Sequence, residues 1–385
     1  MTSRPKHFYA LDNLRGLAAL LVVIYHWGNF LYDGRSPFHG DPHQLPFYTI
    51  LRPVYEQGLM AVDLFFCLSG FIFFWLYAQA IAEKKVTFKQ FASLRFSRLY
   101  PLHFVTLLAA AGATYAIRHL DGSYWGDAGY NDWYHFALQI FFASNWGWED
   151  GVSFNSPIWS VSVEVWLYLM FFSLCRLRLL DWKLVLGYGL TGLLLMQNDS
   201  WLVGKGILGF FMGGLAFKFF SQIQTRDIPV RNIVLALGVI WIFFPVNYSM
   251  NFAYRAWCHL GAAPDNFVIG QTIILLTTYS YDLFLFPATL VLLALWETKR
   301  GTLGRRLAFL GNISYSSYLL HFPLQLLVII LAIRCGWPKS LFTNPAALLV
   351  FLGLVIGVSL ASYHWFEKPL QHWLRKKMLS DDRPR

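Results

Sequence analysis

From Leu11 to Leu31 the chain reads LDNLRGLAALLVVIYHWGNFL. At about 1.5 Å per residue, some 20 helical residues cover the roughly 30 Å hydrocarbon core of a bilayer, so this stretch is long enough to cross one. It also carries Arg15 and His26. That separation is about three helical turns, which sends both side chains out from nearly the same face, about 16 Å apart along the axis. A charged or ionisable side chain in lipid costs roughly 2.5–3.5 kcal/mol on insertion scales, so such a face turns toward a bundle interior or a wet cavity. Taken singly, Arg15 reads equally as an interfacial anchor, and His26 as a core histidine bonded to a neighbouring helix.

The rest of the chain repeats the pattern. Of its 385 residues 56% are hydrophobic and 14% charged, the profile of a polytopic membrane protein. Apolar runs bounded by charges and turn residues predict ten spans, at about 12–31, 58–82, 101–118, 155–177, 183–197, 201–220, 232–248, 268–296, 307–333 and 346–366. The net charge of +10 does not point to nucleic acid, because the basic residues fall in short clusters between apolar runs. They read as topology determinants. With the N-terminus cytoplasmic, most of them lie inside, from Arg4 and Lys6 through Lys84, Lys85, Lys89, Arg95 and Arg98 to the tail; Arg35, Arg52 and Arg255 are among the few outside. The expectation is an all-α helix bundle of about ten transmembrane helices, both termini cytoplasmic. It forms a single domain over 1–385, without a cleavable signal, an internal repeat or an appended soluble domain, and ends in a short basic cytoplasmic tail at 370–385.

Two features are less regular. The 268–296 run contains Asp282 and Pro287 and reads as one broken helix or two short ones; one helix puts the cluster Lys299, Arg300, Arg305, Arg306 inside. The outer loop 119–154 is dense in aromatic and acidic residues, including Asp121, Tyr124, Trp125, Asp127, Tyr130, Trp133, Trp146 and Trp148, which suits an interfacial belt or a platform for sugar rings. Cys67, Cys175, Cys258 and Cys335 have no metal-ligand spacing and read as structural thiols; no metal is expected.

Five further stretches hold polar residues where lipid-facing helices would have none. DLFFCLSGFIFFW places Ser69 and Gly70 mid-span, where small residues allow close helix approach. FASLRFSRLYPLHF sets Arg95 and Arg98 three apart on one helical face, either a positive-inside pair or two guanidinium forks suited to the phosphates of a coenzyme A donor. NSPIWSVSVEVWLYL puts Glu164 within a span, with Ser160 one turn away. The carboxylate needs a partner, and His26 is one it can meet, orienting the imidazole as a triad acid does. NISYSSYLLHFPLQ spaces Ser314, Ser317, His321 and Gln325 in a polar stripe, with Tyr318 beside it. His321 is a second candidate base or an interhelical hydrogen-bond donor. FEKPL, from Phe366, reads as the end of the last helix.

Together these elements resemble, in order and over nearly the whole chain, the membrane-bound acyltransferase-3 family. Arg15 and His26 match its arginine and proposed catalytic histidine, DLFFCLSGF its F-F-x-x-S-G-F element, Arg95 and Arg98 its R-x-x-R donor motif, and WSVSVE its W-S-L-S-x-E element. SYSSYLLHFP and FEKP match its two closing elements. The resemblance implies an O-acyltransferase of a bacterial inner membrane. It would move an acyl group, usually acetyl, from acetyl-CoA or another acyl-CoA to a hydroxyl of a sugar, glycan or lipid-linked saccharide outside, with membrane lipids as its solvent. His26, Glu164, Arg15 and His321 would be catalytic, Arg95 and Arg98 donor-binding, and Ser69, Ser160, Ser314 and Tyr318 substrate-positioning. The residues alone also fit a proton-coupled secondary transporter, with His26, Glu164 and His321 as its relay.

Overall fold

The computed structural model describes residues 7–32, 41–120, 130–197, 201–226, 229–250 and 279–380, with backbone alone over 244–250. Arg4, Lys6, Arg35, Arg255, Cys258, the loop residues Asp121, Tyr124, Trp125 and Asp127, and the first part of the 268–296 run lie outside the described residues.

Within them the chain is helical throughout, with no strand. The helices are α1 Tyr9–Tyr25, α2 Tyr48–Gln57, α3 Met60–Leu76, α4 Ala78–Ala82, α5 Phe88–Leu120, α6 Trp133–Ile140, α7 Ile158–Arg176, α8 Trp182–Leu195, α9 Trp201–Ile223 and α10 Val230–Met250. They continue with α11 Phe286–Arg300, α12 Ala308–Asn312, α13 Ser314–Cys335, α14 Pro345–Ala361 and α15 Lys368–Met378. Seven helical stretches are long and apolar enough to cross a membrane, and an eighth if α2 and α3, bent by 60° at their junction, form one span. This is an integral membrane protein. Of the ten expected runs, 183–197 and 232–248 correspond to α8 and α10, whose apolar described lengths are shorter.

Helix α1 is central. Its N-cap, Phe8, offers no side-chain oxygen, and Glu297 of α11 substitutes: its two carboxylate oxygens accept from the N–H groups of Tyr9 and Ala10 at 2.9 and 2.8 Å. A buried carboxylate there satisfies two orphan donors and complements the helix dipole. At the other end α1 tightens into a 3-10 turn, His26–Leu31. The expected continuous helix to Leu31 thus changes winding at His26.

Close packing of α3 on α9 follows from glycine. A Cβ at Gly70 would run into the Phe210 carbonyl, and one at Gly213 into the Cys67 carbonyl. The ion pair Asp63–Lys205, 2.9 Å, also joins these helices in a region where an unpaired charge would be costly.

Two π-turns absorb prolines that would otherwise break helices. Tyr281–Leu285 runs into α11 with Pro287 in its first turn, and Ser362–Glu367 runs into α15 with Pro369 in the same place. A proline lacks the N–H that the i→i−4 ladder needs, and a wider turn re-registers the ladder where that donor is missing. The described part of the 268–296 run is therefore one continuous helix. FEKPL does not end the last helix, which continues from Pro345 to Met378. Glu297 on α1, and Asn13 Nδ2 on the Gly304 carbonyl at 2.8 Å, set the 299–306 cluster at the end of the bundle where α1 begins. We call this the basic end.

Candidate functional site

The polar residues of α1 are met, level by level, by those of α13. At the basic end the Arg15 guanidinium donates to Ser314 Oγ and the Gly311 carbonyl, both at 2.9 Å, and pairs with Asp12 at 3.0 Å. About three turns on, the His26 ring lies beside His321, centroids 5.0 Å apart, and Gln325 Nε2 donates to the His26 carbonyl at 2.8 Å. The stripe Ser314, Ser317, His321, Gln325 is thus the face of α13 that covers α1. Ser314 and Gln325 reach α1 by hydrogen bonds and His321 by ring contact, whereas Ser317 bonds back along its own chain to the carbonyls of Ile313 and Ser314.

Arg15 opens onto a chamber of about 130 Å³ lined also by Ser69, Arg95, Arg98, Ser160, Glu164, Tyr168, Ser314 and Tyr318. Here α3, α5, α7 and α13 each contribute what the sequence singles out. Glu164 accepts from Ser69 Oγ at 2.5 Å. Arg95 is already engaged: its Nη2 donates to Tyr77 Oη at 2.6 Å, and its guanidinium lies 5.0 and 5.1 Å from the ring centroids of Phe73 and Tyr77. Arg98 makes no hydrogen bond or ion pair among the described residues. It borders both this chamber and an adjoining vestibule of about 260 Å³ at the basic end, shared with Asp12, Arg15, Tyr315 and Glu367.

His26 opens the other way. It lines a chamber of about 230 Å³ with Tyr25, Gln139, Ser144, Asn145, Ser153, Ser156, Trp159 and Trp201. Among the described residues, no Asp, Glu, Lys or Arg borders this space. Its walls come from α1, α7, α9 and the described part of the long loop, which is pinned to the bundle. Gln139 Nε2 donates to the Ser153 carbonyl at 2.6 Å, and Trp146 Nε1 to the Ser162 carbonyl at 2.9 Å. Outside the bundle, Asp132 caps α6, and the backbone N–H and imidazole of His135 hold its carboxyl below the usual carboxylate range. Between the two chambers stand rings: Phe65 against Tyr318, centroids 5.7 Å apart, and Phe66 against Trp159, 6.1 Å.

The expected meeting of Glu164 with His26 is not what the structure holds. Glu164 is bonded to Ser69 in the chamber of the arginines, whereas His26 bonds the Val22 carbonyl through Nδ1 at 2.9 Å and neighbours His321. The physical reason lies in α7: Glu164 sits about 9 Å into the helix, past the aromatic partition, and Trp159 occupies the level of His26. Ser69, expected to position substrate, bonds Glu164, and Ser314, expected to do the same, bonds Arg15. Ser160 and Tyr318 are bonded to each other, oxygens 2.7 Å apart. Sequence reasoning missed Tyr77, which fixes Arg95; Glu367, which accepts from Ser316 and Ser362 at 2.5 and 2.7 Å; and the second chamber's Trp201 and Asn145. FEKPL holds the signal for Glu367, a carboxylate directly after the apolar run that ends in Phe366. Nothing local marks Asn145.

A helical membrane bundle with a basic chamber and an uncharged, histidine-lined one, separated by aromatic rings, is an integral membrane protein built around two chemically different spaces. The particular class is given by comparison: residues 8–364 match the acyltransferase-3 family, described as an acyltransferase domain, and the chain belongs to that family. It is 36% identical over 109 residues to protein 2 in the picA locus of Rhizobium radiobacter (28% of this chain, 47% of the relative). It is 30% identical over 175 residues to the acyltransferase MdmB of Streptomyces mycarofaciens (44% and 40%). Over 407 aligned positions it is 24% identical to a candidate peptidoglycan O-acetyltransferase, YrhL of Bacillus subtilis (96% and 56%). The chain spans about half the length of these curated relatives. No solved structure matches it.

Proposed function

We propose that the protein is an O-acyltransferase of a bacterial inner membrane that uses both chambers. The basic chamber and its vestibule take the phosphates of an acyl-CoA, with the basic end cytoplasmic and both termini on that side. The uncharged chamber takes a hydroxyl of a sugar, glycan or lipid-linked saccharide on the opposite side. Residues 370–385 form its basic tail on the cytoplasmic surface. Membership of an acyltransferase family favours an enzyme over a transporter, and the candidate peptidoglycan O-acetyltransferase among the relatives supports a saccharide acceptor.

The observation that carries the reading is the state of His26. A carbonyl only accepts, so the Nδ1 that faces the Val22 carbonyl bears the proton, and Nε2 keeps its lone pair. That nitrogen has no hydrogen-bond partner among the described residues, and the ring borders a chamber with hydroxyl, amide and indole groups but no charge. It is the arrangement of a general base for a neutral alcohol. Arg98, unbonded where vestibule and chamber meet, supplies a guanidinium fork for a phosphate; Arg95 and Arg15 add fixed positive charge, and Glu164 completes the site. Thioester chemistry needs the acyl carbon to pass the partition formed by Phe65, Phe66, Trp159 and Tyr318.

The test is transfer of label from acetyl-CoA to saccharide in membranes containing the protein, beside membranes with His26→Ala. Label in the saccharide fraction with wild type alone is expected. Equal labelling with both overturns the assignment of His26; no labelling with wild type, while the protein is folded and an acceptor is present, overturns the reaction.

A further inference from the structure

Away from both chambers, a groove of about 360 Å³ runs at the basic end between the first turn of α10 and the last turn of α11. Arg231 stands on its α10 side and Trp296, Lys299 and Arg300 on the other. It shares no lining residue with the vestibule or with either chamber.

We infer that this groove binds the headgroup of an anionic glycerophospholipid, whose acyl chains lie along α10. The inference requires only that the bundle spans a membrane, and it is independent of the acyl-transfer reading. Cations reach the groove from two helices, and among the described residues no Asp or Glu lines it. The acid nearest to them along α11, Glu297, is turned onto the start of α1, where it accepts from the N–H groups of Tyr9 and Ala10. The positive charge is therefore left for a ligand. Basic groups in a pocket between membrane helices attract the headgroups of anionic lipids.

The guanidiniums are free to serve. Arg300 lies over the ring of Trp296, 5.6 Å from its centroid, and neither Arg300 nor Arg231 makes a hydrogen bond or ion pair among the described residues. Each offers a planar fork that matches two oxygens of a phosphodiester. Trp296 stands one turn in from Lys299 and Arg300, where an indole belongs at the boundary between headgroups and acyl chains.

What lies beyond Arg231 distinguishes a lipid from a soluble anion. Arg231, Leu235, Val239 and Ile242 follow one another at steps of four, four and three, so they share one face of α10. The three apolar side chains are 66, 67 and 69% exposed, and in a membrane bundle such a bare face meets acyl chains. A cation at the head of an apolar track mirrors a phospholipid, in which a phosphate heads two chains. A soluble phosphate ester would use the cations and leave the track bare.

The test is lipid binding by the full chain purified in detergent, read by native mass spectrometry with phosphatidylglycerol and with phosphatidylcholine of the same chains. A Lys or Arg near the surface contributes about fivefold to anionic lipid binding, so three should favour phosphatidylglycerol by at least about tenfold. Arg231→Gln, Lys299→Gln and Arg300→Gln should each weaken it about fivefold, and the triple variant on the order of 100-fold, with phosphatidylcholine unaffected. Arg231→Lys should retain most of the binding. Lys376→Gln removes the same charge from α15 at the same end of the bundle and should change nothing. Equal affinity for the two lipids, or an equal loss in Lys376→Gln, would make the groove part of a diffuse basic surface and overturns the proposal. Glycerol 3-phosphate bound as tightly as phosphatidylglycerol would make it a site for a soluble anion and overturns it as well.

Discussion

The two chambers are built from the same helices yet differ in how their polar groups are held. In the basic chamber most groups are already bonded to protein: Arg15 to Ser314, Gly311 and Asp12; Arg95 to Tyr77; Glu164 to Ser69. Charge there is fixed in place, and Arg98 alone of the three arginines has no bond among the described residues. In the other chamber there is no charge to fix, and several polar atoms at or near it are unmatched among the described residues: Ser144 Oγ and Gln139 Oε1, with both side-chain atoms of Asn155 close in the chain. A preorganised charged site suits a ligand whose anionic part is always the same; unmatched neutral donors and acceptors suit one read by its hydroxyls. On the proposed reading, variants of the basic chamber should disturb the donor and variants of the uncharged one the acceptor.

The largest effect is expected from His26→Ala, because among the described residues lining the uncharged chamber the imidazole alone offers a nitrogen lone pair to a hydroxyl proton. Loss of a general base lowers kcat about 10²–10⁴-fold. Donor affinity, measured by binding of a non-reacting CoA analogue, should remain as in wild type. A variant that loses analogue binding as well would erase the distinction between the chambers.

Arg98→Ala is the mirror experiment. A hydrogen bond to a charged group contributes about 1.5–3 kcal/mol, so donor affinity should fall roughly 10- to 100-fold while acceptor KM is unchanged. Arg98→Lys keeps the charge, loses the planar fork and should fall between. Arg95→Lys should behave differently, because Arg95 lies over the faces of Phe73 and Tyr77 and its replacement also loosens α3 against α5. Equal losses for the two Lys variants would mean that both arginines bind the donor directly.

A smaller change is expected from Ser69→Ala. The Ser69 hydroxyl holds Glu164 at 2.5 Å, and without it the carboxyl group loses that bond and the orientation it fixes. A severalfold drop in kcat is expected, with acceptor KM unmoved, in steady-state assays of the purified protein. A change confined to acceptor KM would return Ser69 to the substrate-positioning role expected from sequence.

Much of this architecture is legible in the sequence alone. Arg15 and His26 on one face of an apolar stretch, and the stripe Ser314, Ser317, His321 and Gln325 in another, already point to a polar seam, since ionisable side chains are costly in lipid. Apart from 183–197 and 232–248, every expected run corresponds to a helical stretch long and apolar enough to span, once α2 and α3 are taken as one bent span. What stays hidden is pairing across helices. Glu164 and His26 are natural partners by charge, but which side of an aromatic partition each occupies depends on the depth of α7 against α1, and no local pattern encodes it. The π-turns are hidden for a related reason: Pro287 and Pro369 signal a break, and only the wider turn before each shows the break absorbed. Glu297 as the cap of α1 is a contact across 287 residues.

The smallest effect, and the one that most directly sets the chambers apart, is salt. Raising ionic strength from 0.01 to 0.15 M shortens the Debye length from about 30 to about 8 Å. On the proposed reading, donor binding would join an anion to Arg98, Arg15 and Arg95 through a vestibule open at the basic end, where His7 is half exposed. Screening should therefore weaken it, by a few-fold rather than a hundredfold, because partly buried charges are screened less than surface ones. Acceptor binding faces a chamber without lining charge and should not respond. Acceptor and donor KM measured across a salt series separate the two: a rise confined to the donor sustains the assignment of a charged and an uncharged site. Parallel rises would mean that the acceptor carries charge and meets it outside the described residues, and a donor KM indifferent to salt would leave the arginines as structural supports of the helices they stand on.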